Sequence, residues 1–407
     1  MLSIRNVRSV LTAPENIDLV IVVVETSEPG LVGYGCATFT QRASAVAEVV
    51  DRYLGPLLEG RDPSAIEDLW RLMMANSYWR AGPVLNNAIA GVDAALWDIK
   101  GKVAGMPLYQ LFGGACRERV DVYRHADGRT LEELEASARR LIDAGHRYVR
   151  LQLGGYGGAG AMAKSADAES STEAARAGID RVDVDPARYM RDATEMLHHM
   201  REKLGPQVEI LHDVHERVPV GELARFARGL DQVGLFFLED PVPPDQAGWL
   251  KRIRDASTTP IAIGELFTSP EQWLPLIQDR LIDFIRVHVS HIGGITPARR
   301  LAALCDAFGV RTAWHGPGDC SPFGHAANVH LDFASPNFGI QEMYEPQPHM
   351  EEIFPGLLRV ENGAVLPPTA SGLGVGFHEE AAREYPPKLE PPTWTRTRSP
   401  DGTLIWP

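Results

Sequence analysis

Three short stretches decide the fold: EILHDVHE at 209–216, LFFLEDP at 235–241 and IAIGEL at 261–266. Each is an apolar run of strand length that ends on a carboxylate, namely Asp213, Glu239 and Glu265. Both intervals between these acids are 26 residues, the length of one strand, one helix and two short loops. The same pattern continues on either side, with His125 in DVYRHADG, Arg150 in YVRLQL, Arg286 or His288 in FIRVHVS, His315 in RTAWHGPGD and Glu342 in FGIQEMYEP. Eight such strands, each followed by a helix-like segment, predict an α/β protein built on a (β/α)8 TIM-type barrel. In that architecture the C-terminal strand ends face one cavity, so the polar residues on them are the candidate site.

One interval breaks the rhythm. Arg150 and Asp213 are 63 residues apart, and between them runs GGYGGAGAMAKSADAESSTEAARAG. This composition predicts an insertion near 154–186, either a lid or oligomer contact over the barrel mouth or a disordered surface loop. Ahead of the barrel, LVIVVVE at 19–25 and the turn-forming GLVGYG read as strands. Leu85, Ile89, Val92, Leu96, Ile99 and Val103 form one apolar helical stripe, closed by Gly105, Pro107 and Gly113-Gly114. Residues 1–115 are therefore expected to form a small α+β domain, 116–355 the barrel, and the proline-rich 356–407 a segment returning to the first domain.

The 407 residues exceed one comfortable core, and 44% hydrophobic with 23% charged residues is the balance of a globular protein. A formal net charge of −14 disfavours nucleic acid and acidic membrane surfaces as partners. An anionic small molecule then needs local positive charge from a metal or arginine. Cys36, Cys116, Cys305 and Cys320 lie far apart with no paired spacing, which predicts reduced thiols in a cytoplasmic protein. No basic leader and no long apolar run is visible.

Three carboxylates on successive strand ends repel one another, and a hard divalent cation with oxygen ligands, Mg2+, resolves that repulsion. Asp213, Glu239 and Glu265 are the predicted ligands. At this point the chain resembles the enolase superfamily, whose members place a capping α+β domain before a barrel with acidic metal ligands on the third, fourth and fifth strands. HDVHER, LEDP, RVHVSHIGGITPARR and AWHGPGDCSPFGHAAN are similar to the mannonate dehydratase subgroup, which includes galactonate dehydratase family and starvation-sensing RspA-like members. The resemblance implies removal of the proton next to a substrate carboxylate and loss of the adjacent hydroxyl, giving a 2-keto-3-deoxy acid. It implies His215 as the acid for the departing hydroxyl, His315 sharing the proton work, and Arg150 as half of a base dyad. His125, Arg286, Asp319, Glu342 and Thr40 would bind substrate, and His288, His291 and His325 carry no assigned role.

Three positions depart from the subgroup. Met162 stands where the second base member, a tyrosine, is expected, with Tyr156 nearby as a substitute; Thr40 replaces an asparagine; and Pro317 replaces a small residue. The second strand, VRLQL, lacks the lysine of the superfamily's racemases, and the sixth offers no aspartate partner for the seventh-strand histidine. Two readings follow: a magnesium-dependent dehydratase of a hexonate such as gluconate, galactonate or mannonate, or a metal- and acid-sugar-binding sensor with negligible turnover. The resemblance also implies a homo-oligomer.

Overall fold

In the computed structural model, which describes residues 2–154, 182–389 and 397–405, the chain opens with a three-stranded antiparallel sheet. Its strands are Ile4–Thr12, Leu19–Thr26 and Val32–Cys36, in that order. The helix Pro83–Ala104 lies against the third strand at a distance set by glycine. A β-carbon on Gly33 or Gly35 would overlap the carbonyl oxygens of Ala95 or Gly91, so these positions have no room for a side chain.

Of the expected helical stripe, Ile89, Val92, Leu96 and Ile99 are buried, whereas Val103 is 63% exposed. The helix is not amphipathic in the simple sense, because Asn86, Asn87, Asp93 and Asp98 are fully buried as well. From Asn86 to Ile99 it is enclosed between the sheet and the barrel, so Asn86 and Asp93 serve as clamps. Asn86 Nδ2 donates to the carbonyls of Thr268 (2.7 Å) and His291 (2.6 Å) at the barrel mouth. Asp93 accepts from the backbone N–H (2.9 Å) and hydroxyl (2.5 Å) of Thr296, in the first turn of the barrel helix Ile295–Phe308.

The barrel strands are Val120–Gly128, Tyr148–Leu153, Glu209–Asp213, Phe237–Glu239, Ile261–Ile263, Phe284–Ile285, Arg311–Thr312 and Gln341–Glu342. Neighbours in this order pair in parallel, and the eighth strand pairs with the first. A bridge from Thr312 to Phe338 closes the ring between the seventh and eighth. After the barrel, the hairpin of Val360–Glu361 and Ala364–Val365 pairs antiparallel with the start of the first barrel strand. The chain then returns to the first sheet, where Thr12 Oγ1 donates to the carbonyl of Ala382 and Asp18 accepts from the N–H groups of Lys388 and Leu389. Among the described residues no helix is long and apolar enough to cross a membrane. Residues 155–181, with Tyr156, Met162 and most of the expected insertion, lie outside the described residues.

Burial pushes the Asp93 carboxyl up to about 7, although its bonds to Thr296 pull the other way. A raised carboxyl contributes stability that is complete below the unfolded value near 4 and is lost as pH rises through about 7. The stability of wild type relative to Asp93→Asn is therefore expected to decline between pH 4.5 and 7.5, measured by thermal melting of both proteins across that range. A difference that stays flat or grows with pH contradicts the assignment.

Candidate active site and metal centre

The barrel interior is floored by Tyr123, Leu211, Phe237, Ala262, Phe284, Ala313 and Ile340, one apolar cluster with five members in strands and two, Ala313 and Ile340, adjoining the seventh and eighth. Side chains on one face of a strand recur every second residue. Two residues beyond six of these floor positions stand His125, Asp213, Glu239, Arg286, His315 and Glu342. The site is thus the next layer of the same barrel. The fifth strand alone is out of phase: Gly264 follows Ala262 on the inner face, and Glu265 comes one residue later. Gly264 adopts φ 139°, a conformation closed to ordinary side chains, and this turn delivers Glu265 to the layer.

Strand alternation does not explain His215. The third strand stops at Asp213, and His215 and Glu216 have φ of 48° and 60°. A left-handed turn, held by the bond from the His215 N–H to Asp213 Oδ1 (2.8 Å), brings the imidazole Nε2 to 3.5 Å from Glu265. Strain of this kind concentrates at functional sites.

Two buried guanidiniums organise the layer. Arg286 is fully enclosed, with Nε 2.5 Å from Glu239 and Nη2 2.8 Å from Glu342, above the Tyr123 ring. Arg150 donates to Asp213 Oδ2 (3.1 Å) and to His125 Nδ1 (3.1 Å). A guanidinium can only donate, so His125 Nδ1 is an acceptor and its proton lies on Nε2, which donates to Glu342 Oε1 at 2.6 Å. Burial and the Arg150 charge together hold His125 below its usual range. Burial pushes Glu342 upward, but Arg286 and His125 outweigh it and keep the carboxylate well below its usual range.

Positive charge runs short at Glu239 and its neighbours. Glu239 is buried with Oε1 held only by the Arg286 ion pair and Oε2 without a partner, and burial raises this carboxyl to about 8 despite Arg286. Asp240 is buried, its Oδ1 accepting from Gly264 N–H (3.1 Å) and its Oδ2 unpartnered; burial and then Glu265 push it well above the usual range. Oxygens from Glu239, Asp240 and Glu265 lie within 4.8 Å of one another. Three carboxylates converging on one point, with Glu239 Oε2 and Asp240 Oδ2 lacking partners, fit a hard divalent cation. The cluster has Asp240 in the place expected for Asp213, whose two oxygens are engaged by Arg150 and by its own turn, as those of Glu265 are by His215 and His315.

His315 completes the wall. Its Nε2 is 3.2 Å from Glu265, and its Nδ1 is 2.9 Å from Nδ1 of His288. Burial lowers His315, but Glu265 prevails and the net shift is upward. His288 is held well below its usual range by burial and by the neighbouring His291 and His315. The downward shift of His288 and the upward shift of His315 make His315 Nδ1 the donor and His288 Nδ1 the acceptor of this bond. Asp319, raised to about 6 by burial, lies on the same loop as His315. A cavity of about 450 Å³ opens beside His125 and Glu342, bounded by Pro317, Gly318 and Tyr344. A larger groove, about 660 Å³, lies on the first domain and contains none of the strand-end residues. Thr40 begins a short turn, Thr40–Arg42, directly after Phe39, whose ring stands edge-on to His291 at 5.9 Å.

Residues 133–381 match the family described as enolase C-terminal domain-like, and residues 4–113 match the mandelate racemase / muconate lactonizing enzyme N-terminal domain. The chain is 48% identical to D-galactonate dehydratase family members from Salmonella enteritidis PT4 and Pantoea ananatis, covering 100% of this chain and 99% of each relative. The chain belongs to the D-galactonate dehydratase family of the enolase superfamily. A crystal structure of an enolase from Pantoea ananatis, with bound D-gluconate and Mg, superposes with a TM-score of 0.94 at 46% identity, covering 100% of both chains.

Within this D-galactonate dehydratase family member, the structure brings His125, Arg150, Asp213, His215, Glu239, Glu265, Arg286, His315 and Glu342 into one layer at the barrel mouth. Arg286 stands behind the carboxylates and is closed off from the cavity. Sequence reasoning missed Asp240 and Glu216, the latter raised to about 8 by burial and by Glu265. The acidic doublet in LEDP was the available signal for Asp240, whereas Glu216 owes its position to the left-handed turn.

Replacing Arg286 with Met strands Glu239 and Glu342 as buried anions without their shared cation. Loss of one partner from such a pair costs about 3–5 kcal/mol. Arg286→Met is accordingly expected to lower the urea-unfolding free energy by about that amount in metal-free buffer. A loss below about 1 kcal/mol would mean that the guanidinium is dispensable to the layer.

Proposed function

We propose that this protein is a magnesium-dependent dehydratase of a six-carbon acid sugar of the D-gluconate class. It would convert the substrate to its 2-keto-3-deoxy acid. The observation that carries this reading is the convergence of Glu239 and Asp240, each with one unpartnered buried oxygen, on Glu265, which two histidines flank, in a fold that in its Pantoea ananatis neighbour holds D-gluconate and Mg.

Glu239 and Glu265 hold the metal. Asp213 is the third ligand, because it stands on the inner face beside Glu239, its register partner, whereas Asp240 lies past the strand and clamps the Gly264 N–H. Magnesium at this position supplies electrostatic stabilisation to the negative charge that develops on the substrate carboxylate as the neighbouring proton leaves.

The chain's own residues do the rest. His215 and His315 flank Glu265 from two sides and exchange the protons. His315 takes the proton beside the carboxylate in its neutral form, and His215 protonates the departing hydroxyl. Arg150 stays charged throughout and orients His125 and Asp213. His125, Asp319 and Thr40 contact the substrate hydroxyls, and Glu342 fixes the His125 ring that does so. Arg286 holds Glu239 and Glu342 in place. The neighbour's bound D-gluconate also favours an acid sugar as the partner, and the family resemblance favours a homo-oligomer.

The test is a panel of aldonates and aldarates incubated with purified protein and magnesium, assayed for 2-keto-3-deoxy products. D-gluconate turnover is expected, with kcat lowered about 10²–10⁴-fold in His215→Asn. Binding of gluconate without product from any panel member would favour a sensing role and overturn the dehydratase reading. Calorimetry with magnesium separates the ligand sets. Glu239→Gln and Asp213→Asn are expected to lose affinity and Asp240→Asn to keep most of it, and the reverse ranking would make Asp240 the third ligand.

A further inference from the structure

Two cysteines 284 positions apart in sequence meet at the seam between the first domain and the barrel. Cys36 ends the third strand of the antiparallel sheet, and Cys320 directly precedes Ser321, the N-cap of the helix Pro322–Ala334. Both are buried and both are free thiols. Their sulfurs converge on Gly324, where a β-carbon would overlap the Cys320 sulfur and stand 3.2 Å from that of Cys36. Any side chain at 324 would push into the pair. The two residues also share a chamber of about 10 Å³ with His288, Ser290 and Asn328, in which His288 Nε2 and Asn328 Oδ1 have no hydrogen-bond partner.

The two thiols are not equivalent. Cys36 is held at about 5 by hydrogen bonding from Cys320, against the effect of burial and with help from Ser321 and Thr38. The same interaction with Cys36, together with burial, pushes Cys320 well above the usual range. Two thiols that meet at a helix N-terminus and are shifted in opposite directions take different parts in oxidation, Cys36 as the attacking group and Cys320 as the resolving one. Cys305, by contrast, is simply buried and raised to about 12.

We propose that Cys36 and Cys320 are a peroxide-responsive dithiol that closes to a disulfide between the first domain and the barrel. The Cys36 thiolate attacks the O–O bond of hydrogen peroxide, giving a sulfenic acid and, with one proton, water. Cys320 then attacks the Cys36 sulfur and expels hydroxide, which takes up the Cys320 proton to leave as a second water. The net change is two thiols and one peroxide to one disulfide and two waters; a dithiol reductant reverses it. Peroxide is the oxidant class suited to this seam, because it is little larger than the water-sized chamber, whereas a glutathione disulfide is far larger. The consequence reaches the active layer, since the loop that ends in Cys320 carries His315 and Asp319. A covalent tie at Cys320 fixes that loop to the first domain. The inference stands on the cysteine geometry alone and is independent of the dehydratase reading.

The experiment uses the full-length protein carrying Cys116→Ser, which removes the exposed thiol. The native protein is treated with hydrogen peroxide, alkylated in denaturant and digested without reductant for mass spectrometry. One cross-linked peptide pair joining positions 36 and 320 is expected, about 2 Da lighter than the separate peptides and lost on reduction. Cys36 is expected to react about tenfold faster than Cys305. In Cys320→Ser, Cys36 should accumulate as a dimedone-reactive sulfenic acid. Cys36→Ser should leave Cys320 unoxidised. Full alkylation of both thiols after peroxide, or oxidation of Cys320 at an unchanged rate in Cys36→Ser, would overturn the proposal and leave the pair as packing residues.

Discussion

Charge balance inside the barrel governs this structure. Asp213, Glu239, Glu265 and Glu342 enter one buried layer with two guanidiniums, Arg150 and Arg286, among them. Each arginine is shared between partners, so the layer carries more negative charge than its own cations neutralise. Removing ions from water costs several kcal/mol apiece unless they are paired. The upward displacement of Glu239 and Asp240 and the depression of Glu342 describe one shortage: at Glu239 burial outweighs Arg286, whereas at Glu342 Arg286 and His125 together outweigh burial. A divalent cation suits the place where the shortage is greatest.

The barrel makes such a layer possible. Its apolar floor, from Tyr123 to Ile340, excludes water from below and fixes the phase of every strand. The residue two steps on must then face the same axis, whatever its charge. Where the phase fails, the backbone corrects it: Gly264 advances Glu265 by one residue, and the turn at His215 and Glu216 returns an imidazole to the centre after the strand has ended. The first domain closes the assembly through Asn86, whose amide holds two carbonyls at the mouth, and through Asp93 on Thr296.

The regular spacing of strand-end polar residues made the barrel and most of the site layer legible in the sequence, because strand periodicity is a local property. The same logic misjudged the long helix. A one-sided stripe was visible, yet the helix is enclosed on all sides from Asn86 to Ile99, and the Asn86 amide nitrogen, Asp93 and Asp98 bond to distant parts of the chain. Spacing also made the four cysteines look unrelated, although the fold sets Cys36 and Cys320 side by side.

The sequence by itself determined most of the residues that reach the barrel's inner face, since alternation along a strand requires nothing beyond the strand; Glu265 and His215 arrive there only through the backbone at Gly264 and at the turn after Asp213. Only the tertiary structure decided how their charges are shared. Arg286 became a buried clamp between Glu239 and Glu342, Asp213 was drawn to Arg150, Asp240 joined Glu239 and Glu265, and His288 became the partner of His315. These pairings depend on distances across the ring between strands far apart in the chain. No local pattern of residues encodes those distances, because they are set by how the barrel closes.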